Sequence, residues 1–195
     1  FGDLANTTTI VTPGISAQEY ADRRSRLAAS LPEGGIAILP SSDIKYRSGA
    51  VFYEFHQESN FSYLTGFHEP EAAAVIQKVG SSADYIFHLF VRPKDPHAEL
   101  WDGARSGVQA ALDVFNADEA GSINDIHRLL PPLISSATEV YTDAAKSASF
   151  FKKQDGMATR FQNMLKDSRV KSLRPLMNQL RVVKSRAEVK NMRLA

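Results

Sequence analysis

The chain has 195 residues, of which 43% are hydrophobic and 9% aromatic, and its formal net charge is +1. This length and composition can fill one sizeable core, which excludes global disorder, and no apolar run reaches the roughly 18 residues that span a bilayer. Because cysteine is absent, disulfides, thiolate metal sites and a cysteine nucleophile are excluded as well.

The basic residues are concentrated in one part of the sequence. Residues 152–195 hold 12 Lys and Arg against 3 Asp and Glu, which leaves a balance of −8 for residues 1–151. Such asymmetry can mark a nucleic-acid or membrane surface. These basic residues are spread at helical spacing among apolar ones, so we interpret them as solvated helix faces. We therefore expect no nucleic-acid partner and no stable membrane insertion.

A capping box at residues 16–19 predicts the first helix, which Pro32 ends. Leu27 falls on its apolar face, and Arg23 and Arg24 fall on other faces. Further along the chain, five segments have the apolar, β-branched or aromatic content of extended structure: residues 35–40, 51–64, 72–79, 85–91 and 139–142.

Helical periodicity or capping signals mark five further segments: residues 107–115, 122–130, 149–165, 174–180 and 185–195. The alternation of strands and helices is typical of a layered α/β domain. The last helix has no stop signal and keeps an apolar stripe, so we expect the chain to be a piece of a longer protein.

The segment HQESNFSYLTGFHEPE at residues 56–71 contains imidazoles and carboxylates, the donor types of a metal site. Against a metal site, Pro70 fixes the backbone, Gly66 marks a turn, and rings alternate with polar groups at residues 60–63. We interpret the segment as a strand, a glycine turn and a second strand with charged edges. A metal site built on His68 and the carboxylates of Glu54, Glu58, Glu69 and Glu71 is the alternative.

Two other positions are open to a functional and a structural interpretation. His88, in an apolar strand, is expected to be a satisfied sheet histidine rather than a ligand. Residues 105–107 could hold an anion at a helix N-terminus, but we interpret Ser106 as an ordinary cap. The sequence contains no His-Glu-x-x-His pattern, no Gly-x-Ser-x-Gly elbow and no phosphate loop.

The run YEFHQESNFSYLTGFHEPEA at residues 53–72 resembles the signature of the N-terminal domain of the aminopeptidase P family. Residues 18–31 resemble the first helix of that domain, ELWDGARSG at residues 99–107 resembles its Glu-x-Trp-x-Gly-x-Arg-x-Gly loop, and residues 174–185 resemble the linker towards the catalytic domain. The resemblance divides the chain into an N-terminal extension at residues 1–15, the domain at residues 16–172, and a linker with the first following helix at residues 173–195.

The resemblance implies a three-layer α/β domain like that of creatinase and prolidase, with a mixed sheet flanked by helices. It also implies that the whole protein is a metalloaminopeptidase with two manganese ions, which would supply a hydroxide nucleophile and polarise the scissile carbonyl. All five ligands, two Asp, one His and two Glu, would lie beyond Ala195. The chain itself is then expected to contain no catalytic and no metal-binding residue and to be inactive alone.

By the same resemblance, the domain would shape the entrance for peptide and protein N-termini and contribute to a homodimer. Trp101 is the residue expected to approach the active site, and a half-buried loop anchor is the equal alternative. His68 and Asp102 depart from the family pattern, which leaves the substrate preference open.

Residues 12–16, 48–53 and 115–119 are most similar to the mitochondrial, intermediate-cleaving branch of the family in fungi. This implies an enzyme of the matrix or inner-membrane surface that trims one residue after presequence cleavage, with its targeting segment absent from this chain. A pseudoenzyme or dimerisation module without peptidase activity is the alternative function.

Overall fold

A six-stranded mixed sheet with helices on both faces organises the chain, as seen in a computed structural model that describes residues 10–49, 51–144, 161, 164–165 and 170–194. The strands are β1 (Ile10–Thr12), β2 (Ile15–Ser16), β3 (Ile36–Pro40), β4 (Tyr46–Ser48), β5 (Val51–Phe52), β6 (Ala73–Lys78), β7 (Tyr85–Val91), β8 (Glu119–Ser122), β9 (Val140–Tyr141) and β10 (Val170–Lys171). The helices are α1 (Ala17–Ser30), α2 (Ser59–Thr65), α3 (Pro96–Asp102), α4 (Gly107–Asp113), α5 (Ile126–Ser136), α6 (Arg174–Val182) and α7 (Arg186–Leu194), and a 3-10 turn, Ile123–Asp125, precedes α5.

The large sheet has the order β10-β9-β3-β6-β7-β8. Its central strands β3, β6 and β7 pair antiparallel, and β9, β10 and β8 join in parallel pairings. The implied mixed sheet is therefore confirmed. The other strands form two separate hairpins, β1–β2 and β4–β5.

Alternation along the central strands supplies both faces of the sheet with core residues. In β3, Ala37 and Leu39 join the cluster under α1, α2, α4 and α6, whereas Ile36 and Ile38 join the cluster under α5. Because successive strand residues point to opposite faces, a continuous apolar run gives a strand covered on both sides. The layered α/β class expected from the sequence follows directly from this pattern.

The prediction of extended structure for residues 51–64 is correct only at β5 and wrong at α2. The carboxylate of Glu58 accepts the Phe61 N–H at 2.7 Å and begins the helix, and Gly66, at φ 67°, ends it. A left-handed C-terminal residue favours glycine, since other side chains are strained there. The interpretation of residues 56–71 as two strands around a glycine turn is therefore wrong: the glycine is a helix cap.

Several other elements differ from the sequence prediction, and the hairpin strands β1, β2 and β4 are among those that were not expected. The strand β8 and the helix α3 were not expected, and α5 continues past Leu130 through Pro131 and Pro132 to Ser136. Each proline removes one helical hydrogen bond. The helix continues because Leu130 and Ile134, one turn apart, are both buried against the sheet.

The other predicted helices and strands that fall on described residues agree with the structure. Ser16 accepts the Glu19 N–H and begins α1, β6 and β7 form the expected hairpin, and Ser185 and Glu188 form a reciprocal capping box at α7. The strand expected at residues 139–142 is β9, though β10 follows it. The helix expected at residues 149–165 lies mostly outside the described residues. Among the helices described, none is long and apolar enough to cross a bilayer.

Candidate functional site

The side chains of residues 56–71 that could bind a metal do not form one cluster, and two of them have structural roles. Glu58 caps α2, and the Glu69 carboxylate accepts the Ser106 N–H at 2.8 Å. His68 and Glu71 are exposed. Within the described residues, no group of three or more His, Asp or Glu side chains could hold a metal ion. The side chains that suggested a metal site are thus not brought together.

The Gln57 side chain joins three loops at one end of the sheet. Its oxygen accepts the N–H groups of Ser42 and Glu58, each at 2.8 Å, and its nitrogen donates to the carbonyls of Phe67 and Glu69 at 3.2 and 2.9 Å. All four bonds reach backbone groups that no regular element satisfies. We call this arrangement the Gln57 node. It fixes the loop before α2 against the loop after it.

Two buried arginines hold the C-terminal end of α2, and we call this region the α1–α2 junction. Arg23 Nη1 donates to Tyr63 O and Arg24 Nη1 donates to Leu64 O, both at 3.0 Å. The Arg23 guanidinium lies 4.3 Å from the Tyr63 ring centroid, and that of Arg24 lies 4.2 Å from the centroid of Phe87. Cations at a helix C-terminus complement its dipole, and the rings supply cation–π contacts.

Burial shifts the pKa values of two side chains at this junction, Arg24 and Tyr63. Desolvation lowers the pKa of Arg24, against an opposing effect of its contact with Tyr85. Desolvation also raises the pKa of Tyr63, whose hydroxyl donates to Leu180 O in α6 at 3.2 Å, while nearby Arg23 opposes the rise. The sequence prediction put Arg23 and Arg24 away from the apolar face, and it missed their burial.

The segment at residues 95–105, here called the α3 arm, is the most exposed apolar feature near the Gln57 node. Its helix α3 buries no residue, and Leu100 and Trp101 are each 80% exposed. Asp95 begins it by accepting the N–H groups of His97 and Ala98, and the Ala98 bond is the largest cause that lowers the pKa of Asp95. The alternative interpretation of Trp101 as a half-buried loop anchor is therefore wrong, since the residue lies on a helix and in solvent.

Ser106 occupies the N-cap position of α4, but its side chain makes no capping bond. Its backbone N–H instead donates to the carboxylate of Glu69. The interpretation of Ser106 as an ordinary cap is therefore wrong in its chemistry. The anion at the start of this helix is therefore the Glu69 carboxylate and not a separate ligand.

His88 is satisfied within the sheet, as expected. It is 3% exposed, with Nδ1 at 3.0 Å from Glu119 Oε2 and Nε2 at 3.2 Å from Gln77 Oε1. Burial lowers the pKa of His88, and the carboxylates of Glu119 and Asp118 oppose this effect. Its environment is that of a structural residue in a sheet and not of a ligand.

The depressions on the described surface include two shallow ones. One of about 480 Å³ runs along α7 between basic side chains, and the other, of about 280 Å³, lies beside the β4–β5 hairpin. The second is lined by Asp43, Lys45, Tyr53, Glu54, Phe55 and His56. The adjoining hairpin exposes Tyr46, Val51 and Phe52, each by more than half. This surface was not singled out by the sequence, because exposed apolar residues in a short strand look like core residues.

Comparison with known families identifies the chain. Residues 20–141 match the model described as the aminopeptidase P N-terminal domain, which covers more than half of the chain. The chain therefore belongs to the aminopeptidase P family through its N-terminal domain.

Relatives with known names agree with this assignment. The chain is 41% identical over 95% of its length to intermediate cleaving peptidase 55 of Saccharomyces cerevisiae and covers 38% of that protein. It is 32% identical over 95% of its length to Xaa-Pro aminopeptidase 3 of Homo sapiens and covers 39% of it. The chain thus spans about two fifths of the length of these relatives.

Solved structures share the fold. The crystal structure of the Saccharomyces cerevisiae peptidase superposes with a TM-score of 0.82 at 36% identity, covering 95% of this chain and 41% of that one. Aminopeptidase P from E. coli gives a TM-score of 0.80 at 28% identity, covering 93% of this chain and 42% of that one. The mixed sheet with its flanking helices is the fold of this family's N-terminal domain.

Proposed function

We propose that this chain is the N-terminal, non-catalytic domain of a metalloaminopeptidase that removes single residues from the N-termini of peptides and proteins. The observation that carries the proposal is the 41% identity to intermediate cleaving peptidase 55 of Saccharomyces cerevisiae across 95% of the chain. The domain would shape the substrate entrance, and the reaction would occur in the further length that such relatives possess.

Two manganese ions are the proposed cofactor of the whole protein. The described residues do not fit them, because they contain no group of three potential ligands. The carboxylates of Glu58 and Glu69 each accept a backbone N–H, so their first task is structural. We derive no catalytic step from these residues, and in the proposal the ions are bound by ligands outside this chain.

Trp101 is the proposed substrate-proximal residue. Its ring lies in solvent at the end of α3, beside the equally exposed Leu100. Large exposed apolar side chains are costly to leave in water and are common where a partner or ligand covers them. In the proposal, the indole covers part of the bound peptide.

The domain is further proposed to contribute to a homodimer. Support comes from the β4–β5 hairpin, where Tyr46, Val51, Phe52 and Tyr53 are exposed by 56–58%. A two-stranded hairpin with an apolar surface is marginal in water on its own, and a second copy would cover it.

A mitochondrial location, in the matrix or at the inner membrane, completes the proposal. An Arabidopsis thaliana relative, 34% identical over 94% of this chain, is named intermediate cleaving peptidase 55, mitochondrial. The proposed task is the removal of one residue from imported proteins after presequence cleavage.

The test compares the 195-residue chain with a full-length protein that contains it. Each is incubated with manganese and a short peptide, and released N-terminal amino acid is measured by mass spectrometry. We expect release by the full-length protein only. Release by the 195-residue chain would overturn its non-catalytic assignment, and no release by either would favour the pseudoenzyme or dimerisation module. The size of the protein in solution then tests the dimer.

A further inference from the structure

The helix of the α3 arm has no anchor in the core, and the largely buried side chain of the arm, Arg105, follows that helix. None of the residues of α3 is buried, and the Asp95 cap closes only the first turn. A helix of this length is not stable in water by propensity alone, so its orientation depends on what holds its ends. The residues that fix those ends decide where Leu100 and Trp101 point.

The far end of the arm is held at two places. Arg105 Nη1 donates to Pro93 O at 3.3 Å, which closes the base of the arm on itself. The next residue, Ser106, donates its N–H to Glu69 Oε1 at 2.8 Å. The first bond joins two parts of the same loop, whereas the second ties the loop to a separate segment of the chain. Glu69 thus attaches the arm to a separate segment of the chain.

The backbone around Glu69 is itself held in place by other contacts. Its carbonyl accepts from Gln57 in the Gln57 node at 2.9 Å. The neighbouring Phe67 is 1% exposed and packs edge-to-face on Phe115, with ring centroids 5.0 Å apart, just after α4. A hydrogen bond to a carboxylate is roughly twice as strong as one between neutral groups. The Glu69–Ser106 bond therefore connects a rigid support to an otherwise exposed helix.

We propose that Glu69 is a positioning residue: through its bond to the Ser106 N–H it sets the place and mobility of the α3 arm and thereby the presentation of Trp101 to substrate. The part that concerns substrate depends on the proposed function. The part that concerns the arm does not, and the two are tested separately.

The first test measures hydrogen exchange of peptides from residues 94–107 in the full-length protein. In Glu69→Gln the charge is lost and the shape is kept, so we expect exchange in the arm to be roughly threefold faster or more, with little change in the sheet. The matched control is Glu71→Gln, which removes the same charge from an exposed position two residues away. Equal exchange in the two variants would overturn the proposal.

A second variant removes the other partner of the same bond. Ser106 has φ −64°, which proline accepts, so Ser106→Pro deletes the N–H donor without altering this angle. We expect it to raise exchange in the arm as Glu69→Gln does. If the arm stays as protected as in the wild type while Glu69→Gln loosens it, Glu69 acts by another route and the proposal is wrong.

Kinetics test the link to Trp101. In the full-length enzyme we expect Glu69→Gln to raise KM for a peptide by roughly three- to tenfold while kcat changes less than about twofold. Combined with Trp101→Ala, it should add little to the effect of Trp101→Ala alone, since coupled residues are not additive. Independent, multiplicative effects would overturn the link. A full-length protein without peptidase activity would instead refute the proposed function, and the exchange experiment would still decide the role of Glu69.

Discussion

The α1–α2 junction and the α3 arm distribute charged and apolar side chains in opposite ways. In the junction, Arg23 and Arg24 are 2% and 1% exposed, whereas Leu100 and Trp101 in the arm are 80% exposed. Each arginine donates to a carbonyl at the end of α2 and lies over an aromatic ring. The difference shows that a side chain is buried here where the fold supplies partners for it. A guanidinium with a carbonyl acceptor and an aromatic ring is buried, even though Arg23 Nε has no hydrogen-bond partner, whereas an indole without a covering surface stays exposed.

The largest effect is expected at Arg24. Arg24→Ala removes the donor to Leu64 O and leaves a cavity beside Phe87, so we expect the free energy of unfolding to fall by about 3–5 kcal/mol. Urea denaturation measures it. Arg26→Ala, on the exposed side of α1, should cost less than about 0.5 kcal/mol. Similar losses for the two variants would show that the buried guanidinium is not stabilising.

Two glycines compare the junction with the arm directly. Gly66 ends α2 at φ 67° and Gly103 ends α3 at φ 88°, so alanine is strained at both. We expect Gly66→Ala to lower the free energy of unfolding by about 1–2 kcal/mol, because α2 is part of the core. Gly103→Ala should change it by less than about 0.5 kcal/mol and raise hydrogen exchange in the arm only, because an exposed arm can relax. Equal global losses would remove the distinction between the regions.

His88 is a third buried polar side chain, beside Arg23 and Arg24, and the pH dependence of stability tests its burial. Because burial lowers its pKa, the unfolded chain binds the proton more readily, and stability falls as the pH drops through the unfolded value of about 6.5 towards the folded pKa. We expect the wild type to lose more stability than His88→Gln between about pH 7.5 and about pH 5.5, measured by urea denaturation. His127→Gln, the same substitution at an exposed site, is the matched control. An unchanged slope in His88→Gln would contradict the assignment.

The smallest effect is expected at Trp101. With 80% of its surface exposed, Trp101→Ala should change the free energy of unfolding by less than about 0.5 kcal/mol. Phe61→Ala, at a fully buried ring in α2, should cost about 3–5 kcal/mol in the same denaturation experiment. A large loss at Trp101 would mean that the arm is packed on the domain in solution.

Much of the sheet could be predicted from the sequence, because apolar runs bounded by turn residues are typical of buried strands. The helix α2 could not, since aromatic residues at 61 and 63 fit a strand by local preference. The interactions that decide for a helix are the Glu58 cap and the carbonyl bonds from Arg23 and Arg24, some forty residues away. Tertiary contacts of this kind override local propensity.

The candidate site was less predictable than the fold. The family signature at residues 53–72 indicated the family, but the role of Glu69 depends on Ser106, 37 residues along the chain. The sequence around Glu69, a single carboxylate before a proline, does not indicate that Ser106 is its partner. The exposure of Trp101 could not be predicted either. On a helix of only two turns, the hydrophobic pattern does not show which side chains face the solvent. The expected substrate role of Trp101 stays a prediction.

The contacts of α7 have a mechanical consequence. Asn191 donates to Pro13 O at 2.9 Å across 178 positions of sequence, and Glu188 lies 3.7 Å from Arg23 in α1. A force on α7 would act on these side-chain contacts and, through residues 183–185, on α6. Displacement of α7 would therefore reach the β1–β2 hairpin and α1 as well as the preceding helix, and all three would move relative to the sheet.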